Sequence, residues 1–265
     1  MTLITVQEQH LPGTSLEEKF EHALAWGFDG IELRSAGDLQ FKARLPELRR
    51  ARNAGVVMPT ACVDMPHFVG AFDDALRKDA VVQLKSQLSV MAEIDGSGVM
   101  TPASYGMFSK RLPPFIPPRT GEEDTAVLVE AFTELGEHAA AEGLEIYLEP
   151  LNRYEDHMIN TLADGVRLLK LVGLDSVRLA PDTYHMNIEE SDPAAAIQDA
   201  AGYIGHVQAS DSNRLEPGAG NIDWALFGAT LKSIGYQGTV ALESRLSGPA
   251  EDVLPRVPSL LGRYL

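Results

Sequence analysis

Three acidic side chains end short apolar runs in the second half of the chain: Leu148-Glu149-Pro150, Ala180-Pro181-Asp182 and Leu242-Glu243-Ser244. A fourth run, His206-Val207-Gln208-Ala209, brings an imidazole and an amide to the same kind of position. A lone carboxylate at a strand end is ordinarily a helix cap or a solvated rim residue. Three on four successive strands call for another account, because a closed barrel aims its strand ends at one point. Carboxylates gathered there repel one another and have raised pKa values unless a cation sits among them. A divalent metal is the economical counter-charge. Three carboxylate oxygens, with an amide oxygen from Gln208 or an imidazole nitrogen from His206, suit Mn²⁺ or Mg²⁺, and also Co²⁺ or Zn²⁺.

The elements that must position these residues read as repeated βα units. Short β-branched runs at 3–6, 30–33, 55–60, 98–101, 144–149, 177–181, 205–209 and 239–243 alternate with stretches of helical period. About eight such strands close a (β/α)8 TIM barrel, here a single domain over 1–265. In 124–142, Leu128, Ala131, Phe132, Leu135 and Ala139 fall on one helical face. Ser15 followed by Glu18 predicts a capping box for the first helix, and Gly27, Gly143, Gly173 and Gly235 sit where helices should stop. The segment 251–265 reads as a last packing helix. Glu216-Pro217-Gly218-Ala219-Gly220 looks superficially like a phosphate cradle but lacks the Gly-Lys-Ser/Thr ending. It is read as a turn into a helix capped by Asp223, with Trp224 and Phe227 on the core face.

One connection is long: 102–121, with Tyr105, Phe108 and Phe115, four prolines (Pro113, Pro114, Pro117, Pro118) and the cations Lys110, Arg111 and Arg119. Loops of that length are solvated excursions, lids or contact segments.

The runs LEPLNRYE, PDTYHMNIEE, GHVQASDSNR followed by PGAGNIDW, and GTVALES resemble the sugar phosphate isomerase/epimerase family. These are xylose-isomerase-like TIM barrels that include ketose 3-epimerases and hydroxypyruvate isomerases. The likeness is strong over 144–244 and weaker at GFDGIELR, 27–34. It implies that Glu149, Asp182 and Glu243 ligate a divalent metal, most simply Mn²⁺. The 3-epimerases carry a His-x-His strand whose second histidine is the fourth ligand. This sequence has Gln208 there, as hydroxypyruvate-isomerase-like members do. Gln208 is also nearer the strand's C-terminal end, so it is taken as the ligand and His206 as a buried neighbour. The resemblance further implies that His185, Arg214 and Glu155 contact substrate hydroxyls or carbonyl. Glu32, ending the second strand, and His67, beside Met65 and Phe68, are added as substrate contacts; His10 and His157 are not.

The activity implied is proton transfer beside a carbonyl of a small keto sugar or related hydroxy-carbonyl compound. Glu149 and Glu243 would serve as base and acid through an enediolate. Opposite-face delivery epimerises, and transfer between adjacent carbons isomerises. The same site could instead run β-elimination, as a keto-sugar dehydratase or C-glycoside deglycosidase does. The family's homo-oligomers make a dimer or tetramer the expected assembly.

Composition narrows the partners. With 38 Asp+Glu against 22 Lys+Arg, the net charge of −16 repels nucleic-acid phosphates and, with so few histidines near the motifs, speaks against the endonuclease branch. A single cysteine, Cys62, excludes an internal disulfide framework or a cysteine zinc cage. The opening MTLITVQEQH has neither positive flank nor long apolar core, so no signal peptide or membrane span is expected and the protein is expected to be cytoplasmic.

Overall fold

The alternating pattern resolves into eight parallel strands: β1 (Leu3–Gln7), β2 (Gly30–Ala36), β3 (Thr60–Asp64), β4 (Gly98–Pro102), β5 (Glu145–Glu149), β6 (Val177–Leu179), β7 (His206–Ala209) and β8 (Thr239–Leu242). The computed structural model describes residues 2–106 and 116–265. Their hydrogen-bonded order is β6-β5-β4-β3-β2-β1-β8-β7. The two ends of that sheet meet at parallel bridges, Leu179↔Ile204 and Asp182↔Gln208, which close a (β/α)8 barrel of one domain. The second bridge joins two of the sequence-predicted metal ligands. The Gln208 N–H donates to the Pro181 carbonyl there at 2.9 Å.

The helices are α1 (Leu16–Ala25), α2 (Gln40–Ala43), α3 (Leu45–Asn53), α4 (Asp74–Ala92), α5 (Gly121–Glu142), α6 (Leu162–Val172), α7 (Thr183–Glu189), α8 (Pro193–Asp199), α9 (Trp224–Ser233), α10 (Ala250–Val253) and α11 (Arg256–Leu261). Thr120 and Thr161 open α5 and α6 with complete capping boxes, and Gly143 and Gly173 end them at φ +74° and +71°, where a side chain would be strained. At α1 the expected box is only half formed. Ser15 accepts the Glu18 N–H, but the Glu18 carboxylate turns to the N–H and hydroxyl of Thr14. Asp223 caps α9 as read from sequence, with Trp224 and Phe227 buried behind it.

Two other expectations shift. The third strand begins at Thr60 rather than ending there. Val56, Val57 and Met58 supply the apolar run, but Pro59 has no N–H for the ladder, so pairing with β4 starts at Thr60↔Gly98. The shift carries Cys62 and Asp64 to the open end of the barrel. The expected C-terminal helix is two short ones, α10 and α11, divided at Pro255, with Val253, Leu254, Val257 and Leu261 still packed inward.

The large apolar layer lies between barrel and helices, through residues such as Ile31, Leu33, Ile146, Leu148 and Val207. The barrel interior holds a much smaller cluster of Met100, Tyr147 and Ala180, flanked by Cys62. Because side chains alternate, Glu149 rises from the same face as Tyr147, two residues above that plug. Closing the barrel needs near contact between neighbouring strands at Gly98, where an added Cβ would lie 2.1 Å from the Glu145 carbonyl oxygen and 2.7 Å from the Tyr147 ring. Both are held by the sheet and cannot move aside. Gly98→Ala is therefore expected to cost about 2 kcal/mol or more, lowering the apparent melting temperature by roughly 4–8 °C. A melt within about 1 °C of wild type would contradict this packing.

Candidate active site

A cavity of about 600 Å³ opens at the C-terminal ends of the strands, where this architecture gathers its functional groups. Glu149, Glu155, His185, Arg214 and Glu243 all line it. Asp182 and Gln208 are fully buried at its floor, joined through their backbone bridge. The fold thus gathers these seven residues around one cavity.

Three acidic side chains crowd this floor. Glu149 and Asp182 are almost completely buried, and Glu243 side-chain exposure is 22%. Burial, then the charges of Glu243 and Asp182, push the Glu149 pKa well above the usual carboxylate range. Burial also leads at Glu243, where Asp182 and Glu32 add repulsion that Arg214 only partly offsets, and its pKa is pushed up to about 7. Among the described residues, Arg214 is the one cation inserted there. Its Nη1 donates to Asp182 Oδ2 at 2.7 Å and to the Ser210 hydroxyl at 3.0 Å, and Nη2 stands 3.1 Å from Glu243 Oε2. The guanidinium also sits 5.0 Å above the Tyr184 ring centroid. The Arg214 backbone adopts φ +61°, an uncommon left-handed conformation for a side-chain-bearing residue, held by its N–H to Asp211 O and its carbonyl to Arg245 N.

His185 has its protonation pattern set by Asn152. Its Nδ1 accepts the Asn152 main-chain N–H at 3.0 Å and lies 2.8 Å from that residue's side-chain amide. A ring nitrogen that accepts a backbone N–H carries no proton, so the neutral ring bears its proton on Nε2. Burial lowers the His185 pKa and keeps the ring neutral, although Asp182 pulls the other way. Nε2 lies 3.5 Å from Glu149 Oε1 and is a hydrogen-bond donor aimed into the site.

Two of the expected substrate contacts do not line the cavity. Glu32 does not end its strand; β2 runs on to Ala36, and Arg34, two residues later on the same face, reaches the cavity instead. Glu32 is wholly buried below it, accepting from Gln7, Thr60, His206 and Gln208. Burial opposes its ionisation, but His206 and these hydrogen bonds outweigh that and lower its pKa. His67 follows the shifted third strand into the loop before α4 and places Nε2 2.7 Å from Asp79 Oδ2. His206, as read from sequence, is buried, with its ring 5.5 Å from that of Tyr147.

The cavity also holds Gln7, Arg34, Asp64 and Arg245, none of which the sequence reading named. Arg34 and Asp64 pair across its mouth at 2.9 Å. Gln7 ends β1 and was open to the same strand-end rule; Asp64 was hidden by the misplaced third strand. In the long loop, Tyr105 lines the cavity, while Arg119 is committed to structure. It donates to Asp124, Ala71 O and Gly70 O and lies over Phe72. Phe108, Lys110, Arg111, Pro113, Pro114 and Phe115 lie outside the described residues.

The donor set fits a divalent metal. Glu149 Oε1, Gln208 Oε1 and Glu243 Oε2 are buried oxygens that receive no aligned hydrogen bond, a costly condition for acceptors that a bound cation would relieve. The Arg214 contact to Glu243 is a charge contact without such alignment. Glu149 and Asp182 bring carboxylate oxygens within 4.8 Å of each other, with a ring nitrogen of His185 within the same distance of both.

Known proteins place this architecture. Residues 20–261 match the family model described as xylose isomerase-like TIM barrel. The 3-dehydro-D-guloside 4-epimerase of Escherichia coli K12 is 38% identical over 250 residues, covering 94% of both chains. The D-psicose 3-epimerase of Ruminiclostridium cellulolyticum is 43% identical, over 43% of this chain and 39% of its own. Among solved structures, the 3-keto-D-glucoside 4-epimerase from E. coli superposes with a TM-score of 0.92 at 35% identity, over 99% of this chain and 100% of that one. The D-allulose 3-epimerase from a Methylomonas species gives 0.86 at 25%, over 100% and 98%. A buried acidic floor at the mouth of a β/α barrel and likeness along nearly the whole chain lead to one assignment: the protein belongs to the xylose isomerase-like TIM barrel family and is an enzyme of its sugar isomerase/epimerase class.

Proposed function

We propose that the protein is a divalent-metal-dependent epimerase of a keto sugar, inverting the carbon beside a ketone by removing and returning its proton through an enediolate. The observation that carries this reading is the pair Glu149 and Glu243, which line one cavity above the buried Asp182 and Gln208 and each keep a buried oxygen that receives no aligned hydrogen bond. The names of the relatives describe the same chemistry at different positions. A 4-epimerase of a 3-dehydro sugar and a 3-epimerase of a 2-ketose each invert a carbon next to the carbonyl. The relative matched over 94% of both chains points to a 3-keto hexoside, inverted at C4, as the preferred substrate class.

In this mechanism Glu149 and Glu243, which rise from β5 and β8, approach the reacting carbon from different sides. One takes the proton and the other returns it on the opposite face. The one that takes the proton must be ionised and the one that returns it must be protonated, the two states exchanging over a turnover, and a cation among them would offset the repulsion whenever both are ionised. The His185 Nε2–H donates to a substrate oxygen, its direction fixed by Asn152. Arg214 offsets charge developing at the enediolate while holding Asp182 in place. Glu155, steadied by the Asn152 amide at 3.2 Å, faces the sugar hydroxyls.

Glu149, Asp182, Gln208 and Glu243 would hold the metal, because the imidazole beside them, His185, presents a proton rather than a lone pair. Such an all-oxygen set suits Mn²⁺ or Mg²⁺ better than Zn²⁺. When bound, the cation supplies Lewis acidity to the substrate carbonyl.

Two outcomes test the reading. With Mn²⁺ in deuterated water, wild type is expected to place solvent deuterium at the carbon beside the ketone of a 3-keto hexoside and to form the epimer. Glu149→Gln and Glu243→Gln should each slow exchange by about 10²–10⁴-fold. Release of a fragment or of water in place of the epimer would overturn epimerisation in favour of a lyase. Independently, Mn²⁺ at about 100 times its Kd should add about 2.7 kcal/mol to the stability of chelator-treated protein. That corresponds to a rise of roughly 5–10 °C in melting temperature, and an unchanged melt would count against the metal.

A further inference from the structure

Glu32 touches the site only from beneath, through Gln208. Its Oε1 accepts the Thr60 hydroxyl at 2.9 Å and His206 Nε2 at 2.8 Å. Oε2 accepts the Gln7 side-chain amide at 3.0 Å and the Gln208 side-chain amide at 3.3 Å. The carboxylate is fully buried and far from any role as a substrate contact. Its meaning lies in what an amide can do. A glutamine side chain presents an NH₂ on one side and an oxygen on the other, and a half-turn exchanges them. An ionised carboxylate only accepts, so it fixes the NH₂ of Gln208 toward itself. The Gln208 oxygen is then forced the other way, and it is buried without any donor. Gln7 obeys the same rule: its NH₂ goes to Glu32 and its oxygen accepts from Gln9 at 2.7 Å.

We propose that Glu32 is a positioning residue that holds the Gln208 amide so that its oxygen, rather than its NH₂, faces the metal position among Glu149, Asp182 and Glu243. The assignment rests on the metal reading given above. A reversed amide would point N–H groups at a cation and remove one of four ligands. Glu32 and the interior groups it gathers, Thr60, His206 and Gln7, thus belong to the metal site although none of the three approaches it as a ligand.

The test is Mn²⁺ binding, followed by loss of the free-ion electron paramagnetic resonance signal. Glu32→Gln keeps the side chain's size but introduces an NH₂ that can donate to Gln208 and permit its reversal. Affinity is expected to fall about 10–100-fold, with native circular dichroism. The double variant Glu32→Gln, Gln208→Glu exchanges the polarity of the pair, since the amide introduced at position 32 then donates to an acceptor that shows oxygen in either orientation. It should recover most of the lost affinity. A purely structural role for Glu32 predicts that Gln208→Glu alone gains as much affinity over wild type as the double variant gains over Glu32→Gln, whereas the positioning role predicts a larger gain in the Glu32→Gln background. If Glu32→Gln misfolds, Glu32→Asp keeps the charge facing His206 while withdrawing it from Gln208, and should also weaken binding. Wild-type affinity in Glu32→Gln, or equal weakness in the single and double variants, would overturn the proposal. Absence of Mn²⁺ binding by wild type would instead remove the metal reading itself, and this inference with it.

Discussion

Repulsion among buried carboxylates is the constraint on which the site depends. Barrel closure brings Glu149, Asp182 and Glu243 to one floor, and the bridge that completes the closure is the one joining Asp182 to Gln208. Charges placed there lose much of their hydration and face one another across a few ångströms. Arg214 offsets part of this, and it does so from a strained backbone conformation that the Asp211 and Arg245 main chains hold in place. One guanidinium paired chiefly with Asp182 leaves Glu149 and Glu243 pKa values raised and three acceptor oxygens without donors. The proposed metal resolves those conditions together.

The surrounding polar groups have directions that follow from the same need. The Asn152 N–H keeps His185 Nδ1 unprotonated and so aims Nε2–H at the cavity. Glu32 accepts the Gln208 side-chain NH₂, which leaves the amide oxygen turned away from it and without a donor. Below them, Tyr147, Met100 and Ala180 form a buried apolar cluster inside the barrel. Donors and acceptors that would be interchangeable in water are here distinguished by burial, since each wrong orientation leaves a group unsatisfied.

Much of this was legible in the sequence because strand ends in a closed barrel are defined by simple patterns. Glu149, Asp182, Gln208 and Glu243 end apolar runs, and His185, Glu155 and Arg214 follow within a few residues. The failures had physical causes. Pro59 moved β3 by refusing a ladder hydrogen bond, which hid Asp64 and misdirected His67 toward the cavity. Glu32 looked terminal because Arg34 and Ser35 are polar, yet β2 continues and only Arg34 emerges. The depth of a residue along a strand, and hence whether it meets substrate or supports a ligand, depends on register between strands. Register is a long-range property that a single strand's sequence does not carry.

Four oxygens, with no imidazole nitrogen among them, are proposed to enclose a single metal. Anomalous diffraction from crystals of the protein grown with Mn²⁺ tests this most directly. One strong manganese peak is expected within coordination distance of Glu149, Asp182, Glu243 and the side-chain oxygen of Gln208, with His185 Nε2 outside that shell. A peak ligated by His185 in place of Gln208, or no peak on the carboxylate floor, would contradict the proposal.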